Sequence, residues 1–188
     1  MKTETAKRVL ELAKEAGALL YGDFTLTSGK KSTYYFDGKK LTFSPEGAYQ
    51  VGKAVFEELA GLEIDAVGGV PVGGYPIVTA FTLVSYQEGK PTPAFIVRET
   101  HKEHGTQSQI EGHFKEGFRV AIVDDVITTG GSVKRVIAAV EAAGGKVVKI
   151  IVIVDRHEGG SDRLKSEGYN FSAIIDLWQS GEATVGGG

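Results

Sequence analysis

The sequence contains no cysteine among its 188 residues, which excludes a disulfide framework, a thiolate metal site and a cysteine nucleophile. It has no apolar run longer than one strand, so no segment is predicted to span a membrane. The N-terminal stretch MKTETAKRVLELAKEAG lacks the apolar centre of a signal peptide. The net charge of -3 argues against broad nucleic-acid binding, which needs a basic surface. We therefore expect a cytoplasmic protein with no membrane or nucleic-acid partner.

Helical and strand patterns alternate over a length typical of one domain. Apolar spacing and boundary signals such as Ser44-Pro45 predict helices at 5–16, 44–61, 76–86, 132–143 and 161–167. Apolar, β-branched runs predict strands at 64–67, 94–97, 120–123, 147–154 and 173–175. The alternation indicates an α/β fold, with a central mostly parallel sheet flanked by helices on both faces. We expect the C-terminal VGGG to be disordered.

The segments that follow the predicted strands are chemically unusual. They read GGVPVGGYP (68–76), RETHKEHGTQSQIEG (98–112), DDVITTGGS (124–132) and DRHEGG (155–160). Ligands of such sheets bind beyond the carboxyl ends of the strands. We therefore expect all four segments to lie on one rim.

The segment DDVITTGGS predicts a sugar-phosphate site. Its glycines let backbone N–H groups turn inward, and the helix that follows adds its positive end, so Thr128, Thr129 and Ser132 complete a phosphate cradle. Asp124 and Asp125 are poor phosphate ligands, but carboxylates accept hydrogen bonds from a vicinal diol, or they bind a metal. A capped helix start and a receiver-type phosphoacceptor are the alternative interpretations.

The other rim segments each have a plainer interpretation. GGVPVGGYP could bring backbone N–H groups to a pyrophosphate, or it could be a tight strand-to-helix turn. RETHKEHGTQSQIEG has no hydrophobic periodicity and is long for a loop, which indicates a mobile lid, although a solvated hairpin of mixed charge is the alternative. Arg156 has the fork geometry that binds a carboxylate, or it pairs with Asp155 or Glu158 at the surface.

The segment VAIVDDVITTGGS resembles the phosphoribosyl-pyrophosphate (PRPP) loop of the type I phosphoribosyltransferases. FTLTSGKKSTYYFD (24–37), RETHKEHGTQSQIEG and VDRHEGG (154–160) are similar to segments of the orotate phosphoribosyltransferases. The resemblance covers nearly the whole chain. It implies a single phosphoribosyltransferase domain over residues 1–188, with a hood formed by about 1–43 and a C-terminal segment, and a lid at about 99–113.

The resemblance also implies a reaction and its participants. Orotate would displace pyrophosphate from PRPP, giving orotidine 5'-monophosphate in pyrimidine and UMP biosynthesis. The implied cofactor is Mg²⁺, carried mainly on PRPP and not held by protein side chains. The implied assembly is a homodimer with shared active sites.

The resemblance assigns roles to particular residues. Lys102 is the implied catalytic lysine, alongside Asp125, while Arg98 and His104 bind the pyrophosphate. The other expected PRPP contacts are Asp124, Val126, Ile127, Thr128, Thr129, Gly130, Gly131 and Ser132, and the pyrophosphate loop consists of Val72, Gly73 and Gly74. The expected orotate contacts are Thr128, Arg156, Tyr35 and Phe36, although Tyr35 and Phe36 could simply pack in a strand.

The chain departs from the family at three positions. Several orotate enzymes carry lysine where this chain has Thr27, Gly73 and Glu99. This leaves open how the second polar edge of orotate is held. Two rival functions follow from the same loop: a transferase of the superfamily that takes a purine or uracil, and a PRPP-sensing regulator of transcription. The regulator would need a DNA-binding module or basic face, and the expected lid with Lys102 favours an enzyme.

Overall fold

The computed structural model of the protein describes residues 2–25, 31–98 and 109–187. The helices are α1 (Lys2–Glu15), α2 (Gly38–Thr42), α3 (Pro45–Glu58), α4 (Gly74–Gln87), α5 (Gly131–Ala142) and α6 (Gly160–Ser166). The strands are β1 (Leu19–Thr25), β2 (Lys31–Phe36), β3 (Ala66–Gly69), β4 (Ala94–Val97), β5 (Ile110–Gly112), β6 (Arg119–Ile127), β7 (Lys146–Asp155), β8 (Phe171–Leu177) and β9 (Ala183–Val185). None of these helices combines the length and apolar character needed to cross a bilayer.

The main sheet has the strand order β5-β4-β3-β6-β7-β8-β9. The inner strands β4, β3, β6, β7 and β8 run parallel, and β5 and β9 pair antiparallel at the two edges. The prediction of a mostly parallel sheet is therefore confirmed. The long apolar runs of β6 and β7 lie in the middle of the sheet, where helices cover both faces.

A separate hydrophobic cluster covers each face of the sheet. On one face α1, α3 and α4 pack through residues such as Val9, Val51 and Phe81. On the other face α5 and α6 pack through Val133 and Leu164. Fully burying an aliphatic or aromatic side chain of this kind contributes about 1.5–3 kcal/mol. The two clusters therefore hold the sheet rigid and fix the positions of the loops at its rim.

The start of α3 follows its predicted chemistry. The Ser44 hydroxyl accepts a hydrogen bond from the Gly47 amide at 3.2 Å, and Pro45 occupies the first turn. This capping satisfies an amide that the helix itself cannot pair. The helix ends at Glu58, close to the predicted end.

Three predicted strand ranges differ from the structure by two residues or more, and one of them, 173–175, is β8, which runs from Phe171 to Leu177. The strand predicted at 64–67 is β3, which runs from Ala66 to Gly69. It includes Gly68, where a Cβ would come within 2.4 Å of the Phe95 ring. The strand predicted at 120–123 continues as β6 to Ile127. Both aspartates therefore lie within a paired strand, since Asp124 is in register with Val152 of β7.

The predicted disorder of the tail is wrong for residues 185–187. Val185 pairs with Ile175 in β9, and the amides of Gly186 and Gly187 donate to Ile174 O and Asp176 Oδ2. A Cβ at Gly186 would come within 2.0 Å of the Ala173 carbonyl oxygen. Glycine at this position permits close backbone packing, so its presence did not indicate disorder.

The elements β1, β2 and α2 form the N-terminal part of the rim. β1 and β2 pair antiparallel in a two-stranded sheet of their own. The turn between them, residues 26–30, lies outside the described residues. Asp37 caps α2 by accepting a hydrogen bond from the Lys39 amide at 3.2 Å. This part of the chain falls within the predicted hood, whose boundary stays a prediction.

Candidate active site

The loops after β3, β6 and β7 are bonded to one another at the carboxyl edge of the sheet. Val70 N donates to Val123 O at 3.0 Å, Arg156 N to Ile127 O at 3.2 Å, and Gly160 N to Thr128 O at 2.9 Å. These bonds join three of the rim segments that the sequence singled out. The expected common rim is therefore present in the described residues.

The loop after β6 forms a concave cradle at the start of α5. Residues 126–133, together with Asp124 and Arg135, line a cavity of about 180 Å³. Gly130 has a φ of 79°, in the left-handed region, and α5 begins without a side-chain cap. The first amides of α5 are therefore available for a ligand, and the end of the helix where they lie favours an anion. This region contains all the predicted PRPP contacts from Asp124 to Ser132 except Asp125, whose side chain lies outside the cavity lining.

The carboxylates of Asp124 and Asp125 are neighbours on β6, the first buried and the second half-buried. Asp124 is 6% exposed and lines the cradle, and its Oδ1 accepts a hydrogen bond from the Asp125 amide at 2.9 Å. Burial and the charge of Asp125 raise the pKa of Asp124 well above its usual value. Burial also raises the pKa of Asp125, while the charge of Lys39 opposes that shift. The pair therefore retains a proton more readily than free carboxylates do.

The Asp125 carboxylate lies between two glycines from different parts of the chain. A Cβ at Gly73 would come within 2.1 Å of Asp125 Oδ1, and a Cβ at Gly38 would come within 2.6 Å of Oδ2. Both glycines are buried. The loop before α4 and the first residue of α2 therefore contact the same carboxylate, which only glycine permits.

Arg156 lies at the wall of a larger cavity of about 730 Å³, formed by the β1–β2 hairpin and the rim. Its guanidinium carbon lies 4.9 Å from the centre of the Tyr34 ring, and its Nε lies 3.1 Å from Glu158 Oε1. The ion pair with Glu158 given by the alternative interpretation is therefore present, although Arg156 is buried and does not lie at the surface. Buried cation–π contacts contribute up to about 2 kcal/mol, so the Tyr34 ring holds the fork in place.

Thr129 borders both cavities. The phosphate cradle and the larger cavity are therefore adjoining parts of one cleft. Thr128, which was expected at the orotate ring, lines the cradle. Glu158 and Gln179 line the larger cavity beside Arg156.

The structure places the two aromatic residues expected at orotate on opposite sides of β2. Phe36 is buried in the main core, whereas Tyr35 is 43% exposed and packs on Phe24 with ring centres 5.8 Å apart. Tyr34 is the aromatic residue of this strand that meets Arg156. The alternating directions of side chains along a strand were the signal that could have identified Tyr34.

Four of the remaining predicted pyrophosphate contacts lie within the described residues, at the start of α4 and the end of β4. Val72 is 59% exposed, and Gly73 and Gly74 are buried at the start of α4. Arg98 Nη1 lies 3.2 Å from Glu111 Oε1, and Arg98 lines a small cleft together with Ser132. Lys102 and His104 lie outside the described residues, as do Thr27 and Glu99.

The chain departs from the rim at β4 and returns at the neighbouring β5. Val97 pairs with Ile110, and the Arg98 amide donates to Gln109 O at 2.8 Å. Both ends of the expected lid segment are therefore anchored at one point beside the cradle, and its last residues, 110–112, form β5.

Comparison with known proteins identifies a family. Residues 48–183 match the model of the phosphoribosyl transferase domain. The orotate phosphoribosyltransferase of Methanocaldococcus jannaschii is 40% identical over 170 residues, covering 90% of this chain and 93% of that protein. The enzyme of the same name from Pyrococcus furiosus is 40% identical over 185 residues, with 97% of each chain covered.

A solved structure shares the fold. The orotate phosphoribosyltransferase of Mycobacterium tuberculosis H37Rv, in complex with PRPP, superposes with a TM-score of 0.74 at 30% identity. The match covers 94% of this chain and 96% of that one. The fold expected from the sequence is thereby confirmed.

Proposed function

The chain belongs to the orotate phosphoribosyltransferase family, and we propose that it transfers the 5-phosphoribosyl group of PRPP to orotate. The products are orotidine 5'-monophosphate and pyrophosphate, in the synthesis of UMP. The single observation that supports this best is the cleft whose two parts meet at Thr129. One part is a phosphate cradle lined by the Asp124 carboxylate, and the other contains a buried arginine fork.

The cradle holds the ribose phosphate in this proposal. The amides at the start of α5 and the hydroxyls of Thr128, Thr129 and Ser132 bind the 5-phosphate. Asp124 and Asp125 accept hydrogen bonds from the ribose hydroxyls. Holding the sugar in one orientation lowers the barrier, because attack at C1 then needs no further search.

The larger cavity holds orotate. Arg156 binds the orotate carboxylate through two parallel hydrogen bonds, in place of its present contact with Glu158. The ring nitrogen attacks C1 of the ribose as the bond from C1 to the pyrophosphate oxygen breaks, and the departing pyrophosphate accepts the proton that this nitrogen loses. Positive charge develops on the ribose and negative charge on the leaving pyrophosphate, so cations near the leaving group stabilise the transition state.

The segment after β4 supplies those cations. Arg98 lies beside the cradle, and Lys102 and His104 follow it in the segment whose ends are anchored at β4 and β5. We assign the catalytic charge to Lys102 and the pyrophosphate contacts to Arg98 and His104. Exclusion of water by this segment would protect the activated sugar from hydrolysis.

The residues present fit a magnesium ion that arrives with the substrate. Within the described ranges, the group of three residues able to hold a metal is Asp155, His157 and Asp176, and none of these lines the cradle. Near the cradle the protein offers the hard oxygens of Asp124 and Asp125, which suit Mg²⁺ but do not complete its shell. Bound Mg²⁺ supplies charge neutralisation of the pyrophosphate.

The proposed assembly is a homodimer in which each lid segment serves the neighbouring site. A closed symmetric pair allows such an exchange of loops. A cytoplasmic location and the absence of nucleic-acid partners stay predictions from the sequence.

A base panel tests the proposed function. With PRPP and Mg²⁺ present, we expect orotate to be consumed, and adenine, hypoxanthine and uracil to remain, at equal enzyme concentration. The expectation rests on Arg156, which needs a carboxylate that these other bases lack. Turnover of a purine or of uracil with orotate inert would contradict it.

A further inference from the structure

The carboxylate pair on β6 lies against α2, an element that the proposed chemistry does not use. Gly38, the first residue of α2, packs directly on the Asp125 carboxylate. Gly73 packs on the opposite oxygen of the same group. A side chain at position 73 would displace Asp125, so the loop before α4 cannot bring a cation to the pair while Asp125 keeps this position.

Lys39 follows Gly38 in α2 and is the charged residue next to the contact between Gly38 and Asp125. Its backbone is fixed, because its amide donates to Asp37 Oδ1 and its carbonyl accepts from the Phe43 amide. Its side chain is exposed. Its charge lowers the pKa of Asp125 and that of Asp124, in each case against the larger effect of burial, which raises the pKa.

Two arginines at the rim already have carboxylate partners, and a third, Arg135, contacts the Ser132 hydroxyl in the cradle. Arg98 contacts Glu111, and Arg156 contacts Glu158. Within the described ranges, Lys39 has no ion pair inside 4.0 Å. Its ammonium is therefore free to meet a ligand anion, while its field already reaches the acidic pair.

Binding of PRPP creates a charge problem at this point. Ribose hydroxyls on Asp124 and Asp125 bring C1 and its diphosphate next to two carboxylates, one buried and one half-buried. Like charges in a poorly solvated site repel strongly. A cation between the pair and the diphosphate reduces this repulsion without altering either partner.

We propose that Lys39 is a further substrate-binding residue, whose ammonium contacts the diphosphate side of PRPP and balances the Asp124–Asp125 pair. This inference rests on the proposed function, since it takes PRPP as the ligand of the cradle. It assigns to α2 a positive charge at the leaving group, in addition to the charge that the segment after β4 supplies.

The neighbouring Lys40 provides a matched control, because it is an exposed lysine in the same short helix. In calorimetric titrations with PRPP and Mg²⁺, we expect Lys39→Ala to raise the Kd about tenfold, equivalent to about 1.4 kcal/mol. Lys39→Arg should restore most of the affinity, and Lys40→Ala should leave it unchanged. The KM for orotate at saturating PRPP should not move in any of the three.

The pH dependence of PRPP affinity separates a charge role from a structural one. The charged groups around the pair are the two carboxylates themselves, Lys39 and Arg135, which lines the cradle with Asp124, while Gly38 and Gly73, which pack on Asp125, carry no charge. Removing Lys39 removes a charge that lowers both pKa values. As pH falls, the loss of PRPP affinity should therefore begin at a higher pH in Lys39→Ala than in the wild-type protein. In Lys40→Ala it should begin at the wild-type pH.

The inference would be overturned if Lys39→Ala and Lys40→Ala bind PRPP equally well, or if the loss of PRPP affinity at low pH begins at the same pH in both. Turnover of orotate by the wild-type protein would leave the proposed function intact in either case. A wild-type protein that binds no PRPP would overturn both. Thermal melting of each variant identifies any loss of affinity that comes from unfolding.

Discussion

At the scale of single residues, the pair of Asp124 and Asp125 is costly to the folded protein. Two adjacent carboxylates with little solvent oppose ionisation. The pKa values of both carboxyls are raised in the folded state. Their contribution to stability is therefore complete only when both are protonated, below the pKa of an unfolded aspartate, about 3.9. That contribution is lost as pH rises through the folded-state values.

We therefore expect Asp124→Asn to increase thermal stability at pH 8 and to do so less at pH 4. The amide is neutral, and its oxygen can still accept the hydrogen bond from the Asp125 amide. The gain at pH 8 should be on the order of 1 kcal/mol. Calorimetric melts at the two pH values measure it, with Asp23→Asn on the exposed hairpin as the control. An identical change at both pH values would argue against the burial cost.

Arg156 carries the expected selectivity for a carboxylate. Arg156→Ala should raise the KM for orotate and spare that for PRPP, since an unpartnered carboxylate in a cleft costs about 2–5 kcal/mol. Steady-state kinetics with each substrate varied in turn will measure both constants. Arg163→Ala, an exposed arginine on α6, serves as the control. If only the KM for PRPP rises, the residue belongs to the other part of the cleft.

The sequence predicted the residues whose type alone indicates their role, such as a phosphate-binding hydroxyl or a carboxylate-binding arginine. The hydroxyls and glycines of 128–132 and the fork of Arg156 lie where the patterns put them. Tyr34 was missed, because only the direction of each side chain in β2 decides which aromatic faces Arg156. The contact of Gly38 with Asp125 joins distant parts of the chain, and no local pattern reveals it.

At the scale of elements, long periodic segments were predictable and short edges were not. The helices α1, α3, α4, α5 and α6 were all predicted from apolar spacing. β5 and β9 have three residues each, too few to show a period of two. These edge strands depend on a neighbour in the sheet for their hydrogen bonds, which is tertiary information.

The segment between β4 and β5 should act on the transition state more than on substrate binding. Lys102→Ala is expected to lower kcat strongly and to change the Kd for PRPP little, because charge on the leaving pyrophosphate grows as the bond breaks. A well-placed donor of this kind contributes about 3–4 kcal/mol. Single-turnover rates and calorimetry provide the two numbers.

Lys115→Ala, an exposed lysine just after β5, is the matched control for that comparison. It should leave both the rate and the affinity at wild-type values. Small and equal changes in rate and affinity for Lys102→Ala would mean that the segment only covers the site.

At the scale of the whole molecule, one rigid sheet positions both parts of the cleft, and the proposed dimer would complete each site. Mixing Lys102→Ala with Asp125→Asn tests whether sites are shared. If each variant alone is nearly inactive and subunits exchange, random pairing makes half of the dimers mixed, each with one intact site of two. About a quarter of wild-type activity should then return. Proven exchange without recovery would show that the segment serves its own subunit.

A crystal structure with orotidine 5'-monophosphate bound is the most direct measurement, because this one ligand spans both parts of the cleft. We expect its phosphate on the amides at the start of α5, its ribose hydroxyls on the Asp124–Asp125 pair, and its carboxylate on Arg156. A nucleotide whose phosphate occupies the cradle while its base lies away from Arg156 would contradict the assignment of the larger cavity to orotate.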